Sequence, residues 1–118
     1  MASIPFSDKD MTFTDEETGV LYDLAQPTDP VEVALLNFET SFEPDIKKRF
    51  ELFNSNEAKY REWINGHVNI LLRGWRGLPQ LPEFPASNPA AQMRGELKER
   101  ILAFWNSRVH FTRDDLKK

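Results

Sequence analysis

The sequence predicts a mainly α fold, a small helical domain of about four helices with an N-terminal β-hairpin. Three observations carry that expectation. Apolar residues recur at spacings of three and four along separate stretches. Near the front, apolar and polar residues alternate on either side of Asp15-Glu16-Glu17-Thr18-Gly19. Proline, asparagine or serine stands where each helical stretch begins. A chain of 118 residues suffices for one domain and is too short for two ordinary ones. The patterned part covers 11–108, whereas 1–10 reads as a flexible arm and 109–118 as a charged tail.

The elements follow in order. Met11 to Thr14 and Val20 to Leu24 are the hairpin strands, and Gly19 supplies the positive φ of the turn. An isolated hairpin is marginal in water, so this one must pack on the helices or pair through its free edge. Asp29 reads as an N-cap, Pro30 as the first helical residue, and Glu32 as the rest of a capping-box-like pattern. Val31, Leu35, Phe38 and Phe42 make the first apolar stripe, with Val33 and Leu36 on its flank. Pro44 breaks that helix and opens a short second one. There Ile46, Phe50 and Phe53 face one way, and Lys47, Lys48 and Arg49 face water.

Asn54-Ser55-Asn56 closes the second helix and caps a third, expected from about Asn56 to Arg73. Tyr60, Trp63, Ile64, His67, Val68, Leu71 and Trp75 form its stripe. Gly66 lies in the middle, where glycine costs ~1 kcal/mol relative to alanine; a tight helix crossing would justify it. Gly74 and Gly77 read as C-terminal stops. Pro79, Pro82, Pro85 and Pro89 predict a stiff, extended connector with Leu78, Leu81 and Phe84 laid on the core. Ser87-Asn88-Pro89 then caps a fourth helix striped by Ala90, Met93, Leu97, Ile101, Phe104 and Trp105.

Composition bounds the chemistry. Cysteine is absent, which removes disulfides and thiolate metal sites and fits a reducing, cytoplasmic setting. No apolar run approaches the ~20 residues that span a bilayer, and the N-terminus lacks a signal-peptide pattern, so no membrane role is expected. His67 and His110 are the only histidines and do not make a metal-ligand pattern. His67 sits on an apolar stripe and reads as a packed, hydrogen-bonded residue. In the acidic cluster Asp8, Asp10, Asp15, Glu16 and Glu17, Gly19 comes after the acids rather than among them as a calcium loop requires, so the turn reads as solvated. Phosphate-loop, dinucleotide and nucleophile-elbow patterns are missing. No catalytic residue, metal or cofactor is therefore expected.

Charge is unevenly placed. The first 54 residues hold 4 Lys/Arg against 12 Asp/Glu, a balance of −8; the remainder balances at +4. The two halves could attract within one fold or between copies, which makes a homo-oligomer plausible. Fourteen aromatics in so short a chain suggest that some serve a partner surface. Trp63, Trp75, Arg76, Phe84 and Trp105 are the candidate partner-binding residues. A second class of reading is a small nucleic-acid-associated regulator using the Arg73/Arg76 and Arg94/Lys98/Arg100 faces. The acidic balance makes nucleic acid the less favoured partner, and Trp75 then plugs the end of the core.

Four short segments, in this order, resemble the tail assembly chaperones of long-tailed bacteriophages. They are Phe13-Thr14-Asp15-Glu16-Glu17-Thr18-Gly19-Val20, Pro27-Thr28-Asp29 entering a helix, Leu71-Leu72-Arg73-Gly74-Trp75-Arg76-Gly77-Leu78, and Phe84-Pro85-Ala86-Ser87-Asn88. The third is similar to that family's hydrophobic-hydrophobic-x-x-W-x-G-hydrophobic signature. The resemblance implies a non-enzymatic viral protein of the host cytoplasm. It would bind the tape-measure protein, keep it soluble, and help to recruit the tail-tube protein during tail assembly.

Overall fold

The computed structural model describes the backbone of residues 11–117 and the side chains of 11–109. The arm expected at 1–10 lies outside the described residues, as do the tail's side chains from residue 110. The element order is β1 (Thr12–Thr14), β2 (Leu21–Leu24), α1 (Asp29–Phe42), α2 (Ile46–Ser55), α3 (Glu57–Leu71), β3 (Leu72–Arg76), a 3-10 turn (Pro89–Gln92) and α4 (Gly95–Lys117). The mainly α class stands, with four helices and the expected N-terminal hairpin. The hairpin belongs to a three-stranded antiparallel sheet of order β1-β2-β3.

The hairpin turn is built around a buried carboxylate. Asp15 accepts from the Glu17 N–H (3.2 Å) and from the Thr18 hydroxyl (2.9 Å). Its own N–H donates to the Val20 carbonyl (2.9 Å), and Gly19 adopts φ +83°. At 2 % exposure, Asp15 departs from the solvated acidic turn the sequence suggested. Local N–H and O–H donors replace the water it gives up, and the Arg94 guanidinium stands 3.6 Å away.

The third strand corrects the sequence reading. Residues expected to finish the third helix, and Gly74 expected to stop it, instead run extended beside β2. Tyr22 pairs with Trp75 and Leu21 with Arg76. Arg73 is the extra residue of a bulge, because Asp23 pairs with Gly74 and Leu24 with Leu72. Trp75 falls four positions after Leu71, so helical spacing alone cannot distinguish the two outcomes. A pairing across some fifty residues of sequence decides it, and local propensity yields. The strand also covers the hairpin edge that would otherwise stay open.

Caps set the helix ends. α1 starts at Asp29, with Thr28 rather than Asp29 at the N-cap, one residue earlier than expected. The Asp45 side chain caps α2 through the Lys48 N–H, and the Asn56 side chain caps α3 through the Lys59 N–H. The fourth helix begins later than its sequence suggested. Asn88 takes a left-handed conformation (φ 53°), a 3-10 turn follows, and Met93 is extended before α4 starts at Gly95. The Asn69 side chain holds this entry, donating to Asn88 Oδ1 and accepting from the Ala90 N–H, both at 2.9 Å. The connector bends rather than running straight, with the Leu81 N–H donating to the Leu78 carbonyl (3.3 Å). At its far end α4 is helical in backbone as far as Lys117.

The core lies between the sheet, α3 and α4. Tyr22, Leu24, Val68, Leu71, Ile101 and Trp105 are all buried there, and Leu78, Leu81 and Phe84 pack against its edge as expected. The Trp105 indole N–H donates to the Ala25 carbonyl (2.8 Å), while the Ala25 N–H donates to the Leu71 carbonyl (2.7 Å). Gly66 marks the crossing of α1 over α3. A Cβ there would stand 2.0 Å from Phe38 Cζ. That ring is hemmed in by Phe42, Trp63 and His67.

Gly66→Ala should therefore destabilise the fold despite alanine's better helix propensity. We expect a net loss of about 1–2 kcal/mol, the overpacking cost exceeding the helical gain, read as a lower urea midpoint. Trp105→Phe keeps most of the apolar volume but leaves the Ala25 carbonyl without its donor. It should cost about 1–3 kcal/mol in the same measurement.

Candidate functional site

α3 is the floor of a groove walled by α1 and α4. Ile64, His67 and Leu71 come from α3, Leu35 and Glu39 from α1, and Leu102, Trp105 and Asn106 from α4; the space is about 410 Å³. It continues past Leu35 and Trp105 into a second recess of about 310 Å³, lined by Glu32, Leu36 and Val109. The recess shares Leu35, Glu39, Trp105 and Asn106 with the first, so the two form one channel. Its floor sets the imidazole of His67 between the apolar side chains of Ile64 and Leu71. Among the described residues its charged lining is acidic, with Glu32 and Glu39 on α1 and Glu99 on α4, and no described lysine or arginine lines either part.

Polar groups in the groove are held in place. His67 Nε2 lies 2.8 Å from Glu39 Oε2 and Nδ1 lies 2.7 Å from the Trp63 carbonyl oxygen. Both partners are acceptors, so a proton on either ring nitrogen finds a partner. This is the packed, hydrogen-bonded histidine that its place on the stripe suggested. The Tyr60 hydroxyl donates to Glu99 Oε1 (2.7 Å). That hydrogen bond, then burial and the Glu99 charge, raises the Tyr60 pKa above 10.0.

Beside the groove, with Trp63 common to both, α1, α2 and the start of α3 enclose a half-buried aromatic cluster. Phe42, Phe53 and Trp63 meet with ring centroids 5.3–6.1 Å apart. The Arg49 guanidinium stacks over Trp63 at 4.5 Å and donates to the Glu43 carbonyl. Arg49 thus turns inward, where the sequence had placed it facing water. Ile46 and Phe50 point outward instead, each 63 % exposed.

The five candidate partner-binding residues divide between two places. Trp63 and Trp105 line the groove; Trp63 is half-buried, while Trp105 is a core residue with 4 % exposure. Trp75, Arg76 and Phe84 sit on the sheet side. Trp75 packs edge-on against Phe84 (4.9 Å) and Tyr22 (6.4 Å) and donates from its indole N–H to the Pro82 carbonyl (2.8 Å). Arg76 is exposed and makes a bidentate pair with Asp23. The Asp23 hydrogen bonds, then its charge, raise the Arg76 pKa. Sequence reasoning missed Leu36, Glu39, Leu102 and Asn106. The second apolar flank of α1, Val33 with Leu36, was the available signal.

The basic residues proposed for nucleic acid are engaged with their own chain. Arg73 donates to the Ile70 carbonyl, Arg94 pairs with Asp15 and Glu17, and Arg100 pairs with Glu96 and Glu17. Lys98 is buried and donates to Asn65 Oδ1 (2.6 Å). Acids of the front half and bases of the back half therefore meet within one fold. Among the described residues, no group of acidic or histidine side chains could hold a metal ion, and no helix is long and apolar enough to cross a membrane. No family model, curated protein or solved structure matches this chain.

Lys98, outside the groove, gives the fold a pH signature. Burial, then the Arg61 charge, lowers its pKa below 10.5. Below the lowered value the folded state bears a buried ammonium. As pH rises through it toward 10.5, the unfolded chain keeps the proton longer, so stability climbs. Tyr22 acts oppositely above 10.0, because burial, then the Asp15 charge, raises its pKa. Urea midpoints across the alkaline side up to pH 10 should rise for the native chain and stay flatter for Lys98→Met. That variant's stability at neutral pH should change by less than about 1 kcal/mol.

Proposed function

We propose that this chain is a non-enzymatic interaction module that seats an amphipathic helical segment of a protein partner in the α1/α3/α4 groove. The observation that carries this reading is the channel itself, where Leu35, Leu36, Ile64 and Leu102 line a cleft between two helical walls beneath a polar rim. Helix-in-groove recognition needs that combination. A client helix with an apolar stripe and polar flanks meets it on both counts. Trp63 and Leu36 lend the partly exposed apolar area from which binding energy comes.

The segment order that resembles tail assembly chaperones narrows the proposal. On that reading the client is the tape-measure protein, a long helical polypeptide with apolar stripes, with tail-tube subunits recruited afterwards. Tail morphogenesis in the host cytoplasm is the setting that follows. Trp75 and Gly77 of the resembling segment shape the β3 edge and the connector, so their part is to hold α3 in register rather than to touch the client.

The test is co-purification from cells expressing the neighbouring genes, with the native chain and Leu36→Asp compared. Recovery of a long helical structural protein with the native chain, reduced about tenfold or more by Leu36→Asp, is the expected outcome. Recovery of nucleic acid released by moderate salt, with no protein partner, would overturn the reading.

A further inference from the structure

A cavity of about 290 Å³ opens on the sheet side and shares no lining residue with the groove. It lies between the hairpin, β3, the connector and the start of α4. Small-molecule sites begin at roughly 300 Å³, so its size suits a compact guest. Its make-up changes with depth. Val20 and Tyr22 are buried at its base, half-buried Trp75 and Leu81 form its walls, and Pro82 and Arg94 are exposed at its mouth.

One polar group at that base is unused by the fold. Tyr22 is only 7 % exposed, and its ring packs against Phe13 and edge-on against Trp75. Its hydroxyl has no hydrogen-bond partner among the described residues, although a buried tyrosine usually finds one. Every fully enclosed side-chain nitrogen or oxygen among the described residues does have a partner. The hydroxyl therefore meets open space, and the cavity is the space that Tyr22 lines. The Asp15 carboxylate shares the base but is already served by the Glu17 N–H and the Thr18 hydroxyl, with the Arg94 guanidinium 3.6 Å away. Burial, then the Asp15 charge, raises the Tyr22 pKa, so the phenol keeps its proton and is a donor in search of an acceptor. An anion at the base would meet the Asp15 charge, and a cation would find that carboxylate satisfied.

We propose that this cavity binds a compact, uncharged organic molecule, its apolar body held between Trp75 and Leu81 and a carbonyl-type oxygen accepting from the Tyr22 hydroxyl. The walls supply non-directional affinity and the single hydroxyl sets orientation, the division of labour usual in small-molecule sites. The site is separate from the groove, so a client seated there leaves it open.

Heteronuclear NMR with acetophenone, an uncharged ring bearing one carbonyl, tests this. Titration to millimolar concentration should saturably shift the Trp75 indole N–H and the Met93 methyl, both from residues lining the cavity. The Trp63 and His67 signals in the groove should stay in place. Phenylacetate, of similar size but anionic, should bind more weakly. Tyr22→Phe keeps the ring contacts and removes only the hydroxyl, so its melting curve should match the native one. Its affinity for acetophenone should fall about threefold to tenfold, the loss of one hydrogen bond.

No saturable shift at Trp75 and Met93 would overturn the proposal, as would equal affinity of the native chain and Tyr22→Phe. Tighter binding of phenylacetate would overturn the uncharged guest. A Tyr22→Phe chain that fails to fold would show the hydroxyl to be spent on the fold, with the same consequence. Shifts at Trp75 and Met93 produced only by a captured protein would assign the cavity to that partner instead. None of these readouts passes through the groove, so the client-binding role stands or falls separately.

Discussion

One residue with no side-chain chemistry, Ala25, ties the three parts of this fold together. Its N–H donates to the Leu71 carbonyl at the end of α3, and its carbonyl accepts from the Trp105 indole on α4. Ala25, Leu71 and Trp105 are each at most 4 % exposed. A buried backbone group without a partner costs a sizeable part of a small domain's stability, so both bonds must form. The sheet can then sit only where α3 ends, and α4 only where its tryptophan meets the strand exit. The floor and one wall of the groove are fixed by that seam.

The second wall depends on a different constraint. α1 approaches α3 closely enough that Phe38 occupies the space a side chain at residue 66 would fill. That approach brings Glu39 within hydrogen-bond distance of His67. It also leaves Leu36 standing at the groove margin rather than in the core. The helical penalty of a mid-helix glycine is thus offset by close packing, and the packing sets the groove's width. The aromatic cluster beneath α2 is a separate, half-buried assembly. It spends Phe42, Phe53 and Trp63 on holding α2, which leaves Ile46 and Phe50 facing solvent.

Charge has been distributed with a similar economy. Apart from Arg73, which donates to the Ile70 carbonyl, the arginines that the sequence offers as a cationic face are matched to carboxylates of the hairpin and of α4 itself. Most of these pairs are exposed and contribute little to stability individually. Their consequence is for recognition, because they draw basic groups toward the hairpin and away from the groove. Of the rim carboxylates, Glu39 meets His67 and Glu99 accepts from Tyr60. The opposite halves of the sequence therefore do attract, within one fold.

The sequence by itself determined the class of this protein, its helices and the cap of α3. Periodicity located the stripes of α1, α3 and α4, Asn56 announced a cap, Gly19 marked the hairpin turn, and Gly66 signalled a tight crossing. All but that crossing, which Phe38 of α1 decides, are set by neighbours within a few residues through local sterics and hydrogen bonding. Only the tertiary structure decided that Leu72 to Arg76 is a strand, that Asp15 is buried, that Arg49 turns inward, and that α4 starts late. Each depends on a partner far along the chain: β2 for the strand, Arg94 beside Asp15, Trp63 beneath Arg49, Asn69 at the entry to α4. The groove belongs to this second group, because its three sides come from segments whose spacing no local pattern encodes.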